Sequence, residues 1–530
     1  MKRILICILT LCAALNMSAQ NARNSNNLDP FQQQLNKLLN ATVAISSFYV
    51  DSVDNNKMVE DAINGILSKL DPHSNYSNAA ETKKLTEPLE GSFEGIGVQF
   101  NMLEDTLVVI QPVPKGPSEK VGIMAGDRLV SVGDTTIAGV NMSRDEIMRR
   151  LRGPKGSIAH LKVVRSGIRD TLIFDVKRDK IPVNSVDAAY MVTPTIGLIR
   201  FNNFAETTHK EVLQAIDTLK RKGMKDLIID LQQNGGGYLQ SAADLASEFL
   251  AAGDMIVYTR GRAVPDQEFR SKGNGVFTKG KVAVLVDEYS ASASEILAGA
   301  IQDQDRGIVV GRRTFGKGLV QRPLEMADHS MIRLTVARYY TPSGRCIQKP
   351  YEKGDKQGYA KDVINRYNNG ELTNADSIHF PDSLRYKTLR EGRTVYGGGG
   401  IMPDYFVPLD TMKYSKCYRE ISAKSLVINA SIRFADKNRK KLQKDYKTFE
   451  EYKRNFEVPQ EAVDELLAEA KKQNIEPKDD AEKTHTEANI RRVMKAFVAR
   501  DLWDMSEYVE LIYADDEVVK KAVELLSSNE

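Results

Sequence analysis

At 530 residues, with 42% apolar and 27% charged side chains, the chain has an ordinary globular composition and length for three or four domains. Seventy-four Lys and Arg against 71 Asp and Glu leave a net charge of +3 with both signs mixed, which makes no electrostatic case for a nucleic-acid partner. Four cysteines form no zinc spacing and no disulfide scaffold.

Met1-Lys2-Arg3, the apolar run Ile4 to Leu15 and the small-residue stretch to Ala19 have the three regions of a secretory signal. The run is too short to span a bilayer comfortably. Residues 1–19 therefore read as a signal peptide cleaved near Ala19, and the protein as exported, periplasmic or cell-envelope associated. Bulky Leu11 before Cys12 argues against a lipoprotein. Cys7 and Cys12 leave with the signal, so the mature chain keeps Cys346 and Cys417, enough for one disulfide.

Residues 20–90 read as an N-terminal helical region, Asn-rich at its start and then periodic through Leu35, Leu38, Leu39 and Val43, and again through Met58, Ala62, Ile63 and Ile66. Asp71-Pro-His-Ser-Asn-Tyr76 ends that unit. His73 in it reads as a capping or locally hydrogen-bonded residue rather than a catalytic one.

Residues 91–178 hold a glycine-rich string, Gly95-Ile96-Gly97-Val98, then helix, turn and strand signals in Gly116-Pro-Ser-Glu-Lys-Val-Gly-Ile-Met-Ala-Gly-Asp-Arg-Leu-Val-Ser-Val132, and short alternating strands. These strings resemble a PDZ domain. The resemblance implies that the loop at Gly95, Ile96, Gly97 and Val98 receives a peptide's terminal carboxylate, and that apolar C-termini bind by adding a strand.

From Ile181 the pattern turns α/β. Strand-like runs at 196–201, 227–231 and 282–286 alternate with helical stretches, which implies a mostly parallel sheet with a site at its strand ends. Residues 179–410 read as one core, interrupted by a charged, Tyr/Asn/Gly-rich insertion at 349–396 whose expected role is a lid, a rim contact or a disordered loop. Asn234-Gly235-Gly236-Gly237 lets backbone amides approach a reacting carbonyl. The fold class is α/β and multidomain: helical N-terminal region, β-rich PDZ domain, α/β core and helical C-terminal extension.

The chemistry concentrates between 282 and 321. A strand leads through Ser290-Ala-Ser-Ala-Ser294 into a helix, placing a serine hydroxyl at a helix N-terminus where free N–H groups favour an oxyanion. Ser292-x-x-Glu295 is also a capping box in its own right. No histidine lies in this stretch, so Lys317, flanked by Gly316 and Gly318 and by apolar Phe315 and Leu319, is the candidate base. An ordinary lysine, with a pKa near ~10.4, is almost entirely charged at pH 7 and needs burial to serve. Gly311-x-x-x-x-Gly316-Lys317 mimics a phosphate-binding loop, but Gly318 replaces the hydroxyl residue and a strand follows instead of a helix.

Ser290-Ala-Ser-Ala-Ser-Glu-Ile296, Gln302-Asp303 and Val310-Gly-x-x-Thr-Phe-Gly-Lys317-Gly-x-Val-Gln321 resemble the signature of the C-terminal processing peptidases, or tail-specific proteases. The family uses a Ser–Lys dyad 25 residues apart, and here 317 − 292 = 25. The resemblance implies Ser292 as nucleophile, Lys317 as general base and Gln321 as the residue that orients it. Glu295 and Asp303 fall at supporting positions. Asp230-Leu-Gln-Gln-Asn-Gly-Gly-Gly237 is similar to another family string, with Gln232 and Gly235 as departures, and implies an oxyanion hole at the N–H groups of Gly236 and Ala293. The implied activity is cleavage near protein or peptide C-termini with no metal or other cofactor; the alternative is a non-catalytic PDZ scaffold with an inert core. A PDZ-bearing histidine-dependent protease lacks its nucleophile string.

Residues 411–530 are charged and helical, with candidates near 418–456, 459–473, 485–500 and 515–527. This extension is expected to pack on the core, pair subunits or gather substrates through an adaptor.

Overall fold

The computed structural model describes residues 29–528, so the secretory-signal reading lies outside the described residues. Two sheets form the core of residues 179–410. The first has six strands in the order Val186–Met191, Ile196–Phe201, Asp226–Asp230, Val282–Val286, Ile308–Gly311 and Tyr405–Phe406. Its first pair is antiparallel and all later pairs are parallel, as the alternating strand and helix pattern implies.

Parallel strands need cover on both faces, and Val282–Val286 is buried at every position. Helices Thr208–Arg221, Leu239–Ser247 and Ala293–Asp303 bury one face through residues such as Val212, Leu245 and Leu297. The other face is covered from the far end of the chain. Val509, Val518, Val519, Ala522 and Leu526, on helices Met505–Tyr513 and Glu517–Ser527, pack on Leu198, Ile228, Leu285 and Val310. Packing on the core is thus a role this part of the extension performs.

The second sheet is antiparallel, a feature the strand and helix alternation did not signal. Met331–Tyr340 pairs with Leu319–Glu325 on one side and with Asn75–Ser77 and Met255–Gly261 on the other; Gln267–Arg270 completes it. Ser292 follows a strand of the first sheet, and Lys317 precedes a strand of the second. The junction of the two sheets brings them together.

The PDZ module is a five-strand path, Val98–Leu103, Thr106–Pro112, Arg128–Val132, Ile158–Val164 and Leu172–Lys177, with Thr135–Thr136 beside the third strand. Strand Asp179–Pro182 returns to pair with Ser92–Gly95. The outer face of the module rests on helix Leu426–Asp445: Ile432 joins Leu103, Val108 and Ile110, and Arg128 pairs with Asp436 at 2.8 Å.

The stretch read as helical from 418 to 456 is three helices, Lys416–Ala423, Leu426–Asp445 and Phe449–Asn455. Ser425 takes a left-handed conformation (φ 58°) that no continuous helix accommodates, and Thr448 with Glu451 opens the third helix through a capping box. Cys346 and Cys417 are both free thiols.

Candidate active site

The strand Val282–Val286 leaves the sheet at Asp287, whose carboxylate accepts the N–H groups of Tyr289 and Ser290 and of Gln233. Three serines follow, and their surroundings separate them. Ser290 is buried and donates its hydroxyl to Leu231 O at 2.8 Å; Ser294 is buried and donates to Asn234 O, also at 2.8 Å. Ser292 alone is part-exposed, with φ 57° and ψ −114°, a conformation that L-residues seldom adopt. Its Oγ and the Glu295 amide stand in capping-box positions without a hydrogen bond between them; the Glu295 N–H goes to the Ser292 carbonyl at 2.9 Å.

Glu295 does more than cap. It is fully buried, and it accepts four donors: Thr314 Oγ1 (2.6 Å) and Gly316 N (2.7 Å) on Oε1, and Ser292 N (2.8 Å) and Lys317 N (2.9 Å) on Oε2. Burial raises its carboxyl to about 7 despite the hydrogen bonds that favour the ionised form. The same carboxylate holds the Ser292 turn and the Lys317 loop.

Lys317 donates Nζ to Gln321 Oε1 at 2.9 Å, and no hydrogen bond joins it to Ser292 Oγ. Burial lowers its amine to about 8; Arg333 adds to the effect, and Glu295 and Asp71 oppose it. Gln321 cannot turn freely, because its Nε2 donates to the His73 carbonyl. The His73 turn is held by Asp71, which accepts His73 N (2.9 Å), Ser74 N (3.0 Å) and Thr335 Oγ1 (2.9 Å). His73 itself is lowered to about 4 by burial and by Lys317, so its ring is neutral at pH 7.

Of the two amides expected to form an oxyanion hole, Ala293 N is the first of its helix and has no acceptor among the described residues. Gly236 is close by: a Cβ there would meet Ser292 Cβ at 2.8 Å and Ala293 N at 2.9 Å. Its N–H, however, donates to Asn234 Oδ1 at 2.9 Å. Asp303 lies at the opposite end of the helix, about 15 Å along at 1.5 Å per residue. There it pairs with buried Arg345 at 2.7 Å and accepts the Ser343 hydroxyl, so its support is structural.

In the PDZ module, Val98–Leu103 is an edge strand, open to a further strand, with Gly95 to Val98 at its head. Ile96 is a core residue whose carbonyl accepts Ser118 N and Oγ, and Gly97 has φ 73°. Sequence reasoning missed Tyr339, whose hydroxyl donates to the carbonyls of both Ser292 and Lys317. Nothing in its local sequence, Tyr339-Tyr-Thr-Pro-Ser-Gly-Arg345, signals which carbonyl a tyrosine will reach.

A PDZ module beside an α/β core, with one uncommitted serine at a helix N-terminus, makes up a PDZ-bearing serine protease. Residues 195–358 match Peptidase family S41, 95–180 the PDZ domain, 11–82 the Activating protease CtpB N-terminal domain, and 417–504 a family of unknown function (DUF8443). A Carboxy-terminal-processing protease of Bartonella bacilliformis is 35% identical over 343 residues, covering 64% of this chain and 78% of that protein. Carboxy-terminal processing protease CtpA of Bacillus subtilis is 34% identical over 372 residues, 68% of this chain and 78% of its own length. A Probable CtpA-like serine protease of Staphylococcus aureus is 31% identical over 372 residues, 69% and 73% respectively. The chain belongs to the carboxy-terminal processing protease family.

Proposed function

We propose that the protein is an exported serine endopeptidase that recognises protein C-terminal tails through its PDZ domain and cleaves near them with a Ser292–Lys317 dyad. The observation that carries the reading is the contrast among the three serines: Ser290 and Ser294 are committed to carbonyls, and Ser292 is not.

A neutral lysine has two N–H donors and one lone pair. Gln321 Oε1 takes one donor, and Gln321 is itself oriented by the His73 carbonyl, so the lone pair is left to accept the Ser292 hydroxyl proton. Ser292 Oγ then bonds to the scissile carbonyl carbon. The oxyanion meets Ala293 N–H, with Gly236 N–H joining when Asn234 Oδ1 turns aside; one such donor is worth roughly 10²–10³ in rate. As the C–N bond breaks, Lys317 passes its proton to the leaving amine. Water attacks the ester carbonyl, giving its proton to Lys317, and the released Ser292 takes that proton back.

Strand addition at Val98–Leu103 supplies the tail-binding step. Export rests on the charged start, apolar run and Ala19 of the first 19 residues. The test is Ser292→Ala against an unfolded polypeptide with an apolar C-terminus. Cleavage is expected to vanish while the thermal midpoint stays near that of the parent; persistent cleavage by the variant ends the assignment.

A further inference from the structure

The 349–396 insertion, outside the family motifs, folds against the lysine loop and bonds its carbonyls. Its first residue, Lys349, donates its N–H to Gly316 O at 2.9 Å. The Lys349 ammonium lies over the rings of Phe315 and Tyr359 at 3.9 and 4.1 Å and pairs with Asp362 at 2.8 Å. Arg366, fully buried, donates to Arg313 O at 2.6 Å and Thr314 O at 3.0 Å. Two insertion residues, Lys349 and Arg366, thus hold the backbone from 313 to 316.

Tyr359 is the centre of this contact. Its hydroxyl meets His73 Nε2 at 2.9 Å and accepts Gln348 Nε2 at 3.2 Å; Gln348 Oε1 in turn accepts Gly318 N at 2.9 Å. Its ring stands edge-on to His73 and to Phe315, with centroids 5.1 and 5.8 Å away. It therefore packs on residues before, after and beside Lys317: Phe315, Gln348 at Gly318, and the His73 turn that holds Gln321.

We propose that the insertion is the wall that keeps water from Lys317, with Tyr359 as its positioning residue. The proposal rests on Lys317 being the general base. An amine is held neutral by exclusion of water, and the ring of Tyr359 packs on Phe315, two residues before Lys317, and on His73, whose carbonyl holds Gln321. The charged and titratable groups facing the amine from the other elements are Glu295 on the nucleophile's helix, Arg333 on the neighbouring strand, and Asp71 and His73 on the turn. Lys349 lies over the rings of Phe315 and Tyr359 and is paired with Asp362. None of these belongs to the ring, so its removal leaves those charges in place; it takes away the packing together with the hydroxyl's bonds to His73 and Gln348, which Tyr359→Phe removes alone.

The test is kcat/KM against pH for the full chain, on an unfolded polypeptide with an apolar C-terminus. The profile of kcat/KM reports the free enzyme's base. In Tyr359→Ala the alkaline-rising midpoint is expected to move up by one pH unit or more, so that activity at pH 7 falls about tenfold or more and recovers as pH is raised. Tyr359→Phe keeps the ring and is expected to keep the midpoint. Tyr359→Leu, less disruptive to folding than alanine, is expected to give a smaller upward shift. An unshifted midpoint in whichever of the Ala and Leu variants folds, or a full-unit shift in the Phe variant, overturns the wall. Lys317→Ala runs beside them: if it still cleaves, the dyad itself is wrong, whereas a dead Lys317→Ala with unshifted Tyr359 variants removes only the insertion's role.

Discussion

Ser292 and Lys317, 25 residues apart in the chain, are joined backbone to backbone at both polar groups. Their N–H groups donate to one oxygen, Glu295 Oε2, at 2.8 and 2.9 Å, and the Tyr339 hydroxyl donates to the carbonyls of both. The spacing of Ser292 and Lys317 is set by two side chains, Glu295 and Tyr339.

Glu295→Gln tests this arrangement. An amide oxygen can replace Oε1, but Nε2 would present hydrogens to the two N–H groups on Oε2. Each buried donor left unpartnered costs roughly 1–3 kcal/mol. The variant is expected to lose about 10²-fold or more in kcat/KM and to unfold at lower urea. The folded carboxyl lies near 7, above its ordinary 4.5, so its stabilising contribution is complete below pH 4.5 and is lost as pH rises through 7. The advantage of the parent over the Gln variant should therefore be larger at pH 5 than at pH 8, by up to about 3 kcal/mol. Equal gaps at both pH values would contradict the burial account.

Lys317 has the opposite sign. Its folded amine lies near 8 against an ordinary 10.5, so the folded state holds fewer protons than the unfolded between those values, and stability rises with pH across that window. Activity needs the neutral amine: kcat/KM should rise about tenfold per unit below pH 8 and level off above about 9. At pH 7 the buried charge costs the fold roughly 3 kcal/mol. Lys317→Met, of similar length and no charge, is expected to be inactive and more stable than the parent at pH 7 in a thermal melt. A destabilised Lys317→Met would show that the amine is well solvated.

The residues of chemical interest were legible in the chain; what surrounds them was less so. Ser292, Lys317 and Gln321 stand in local strings whose spacing survives any detail of the fold, and Gly236 and Ala293 are drawn together because a glycine without Cβ permits it. Glu295 was legible as a cap, because capping is local. Its bonds to Thr314, Gly316 and Lys317 reach 19 to 22 residues away, and no periodicity encodes them. Tyr359 and Arg366 sit in a polar insertion whose composition gives no sign of a packed wall. The cover on the sheet's second face was hidden for a similar reason. Val518, Val519 and Ala522 mark an apolar helix face, but amphipathicity does not name its partner, here strands more than two hundred residues earlier.

The backbone of Ser292 supplies a prediction independent of charge. At φ 57° and ψ −114° a side chain is strained by about 1–3 kcal/mol, a cost glycine does not carry. Ser292→Ala keeps the strain, and Ser292→Gly relieves it, less the extra chain entropy of glycine. Both are expected to be inactive, with Ser292→Gly more stable than Ser292→Ala by roughly 1 kcal/mol in urea titration. The reverse order would mean that the turn relaxes once the hydroxyl is gone.

The last two helices should behave as part of the core rather than as an appendage. Val519 is buried against the sheet with Val518, Ala522 and Leu526, so Val519→Asp places an unpaired carboxylate among Ile228, Leu285 and Val310. Uncompensated burial of a charge costs several kcal/mol, and the variant is expected to be insoluble or to melt far below the parent. Tyr513→Phe is the milder probe. The Tyr513 hydroxyl donates to Asp230 Oδ2 at 2.6 Å, and Asp230 Oδ1 accepts Gln232 N at 2.9 Å, at the head of the loop that carries Asn234 and Gly236. With Arg200 still paired to Asp230, the loss should be about 1–2 kcal/mol, together with a several-fold fall in kcat as the loop loosens. A Tyr513→Phe enzyme with parental stability and kcat would detach the C-terminal helices from the loop that carries Asn234 and Gly236 and leave them as sheet cover alone.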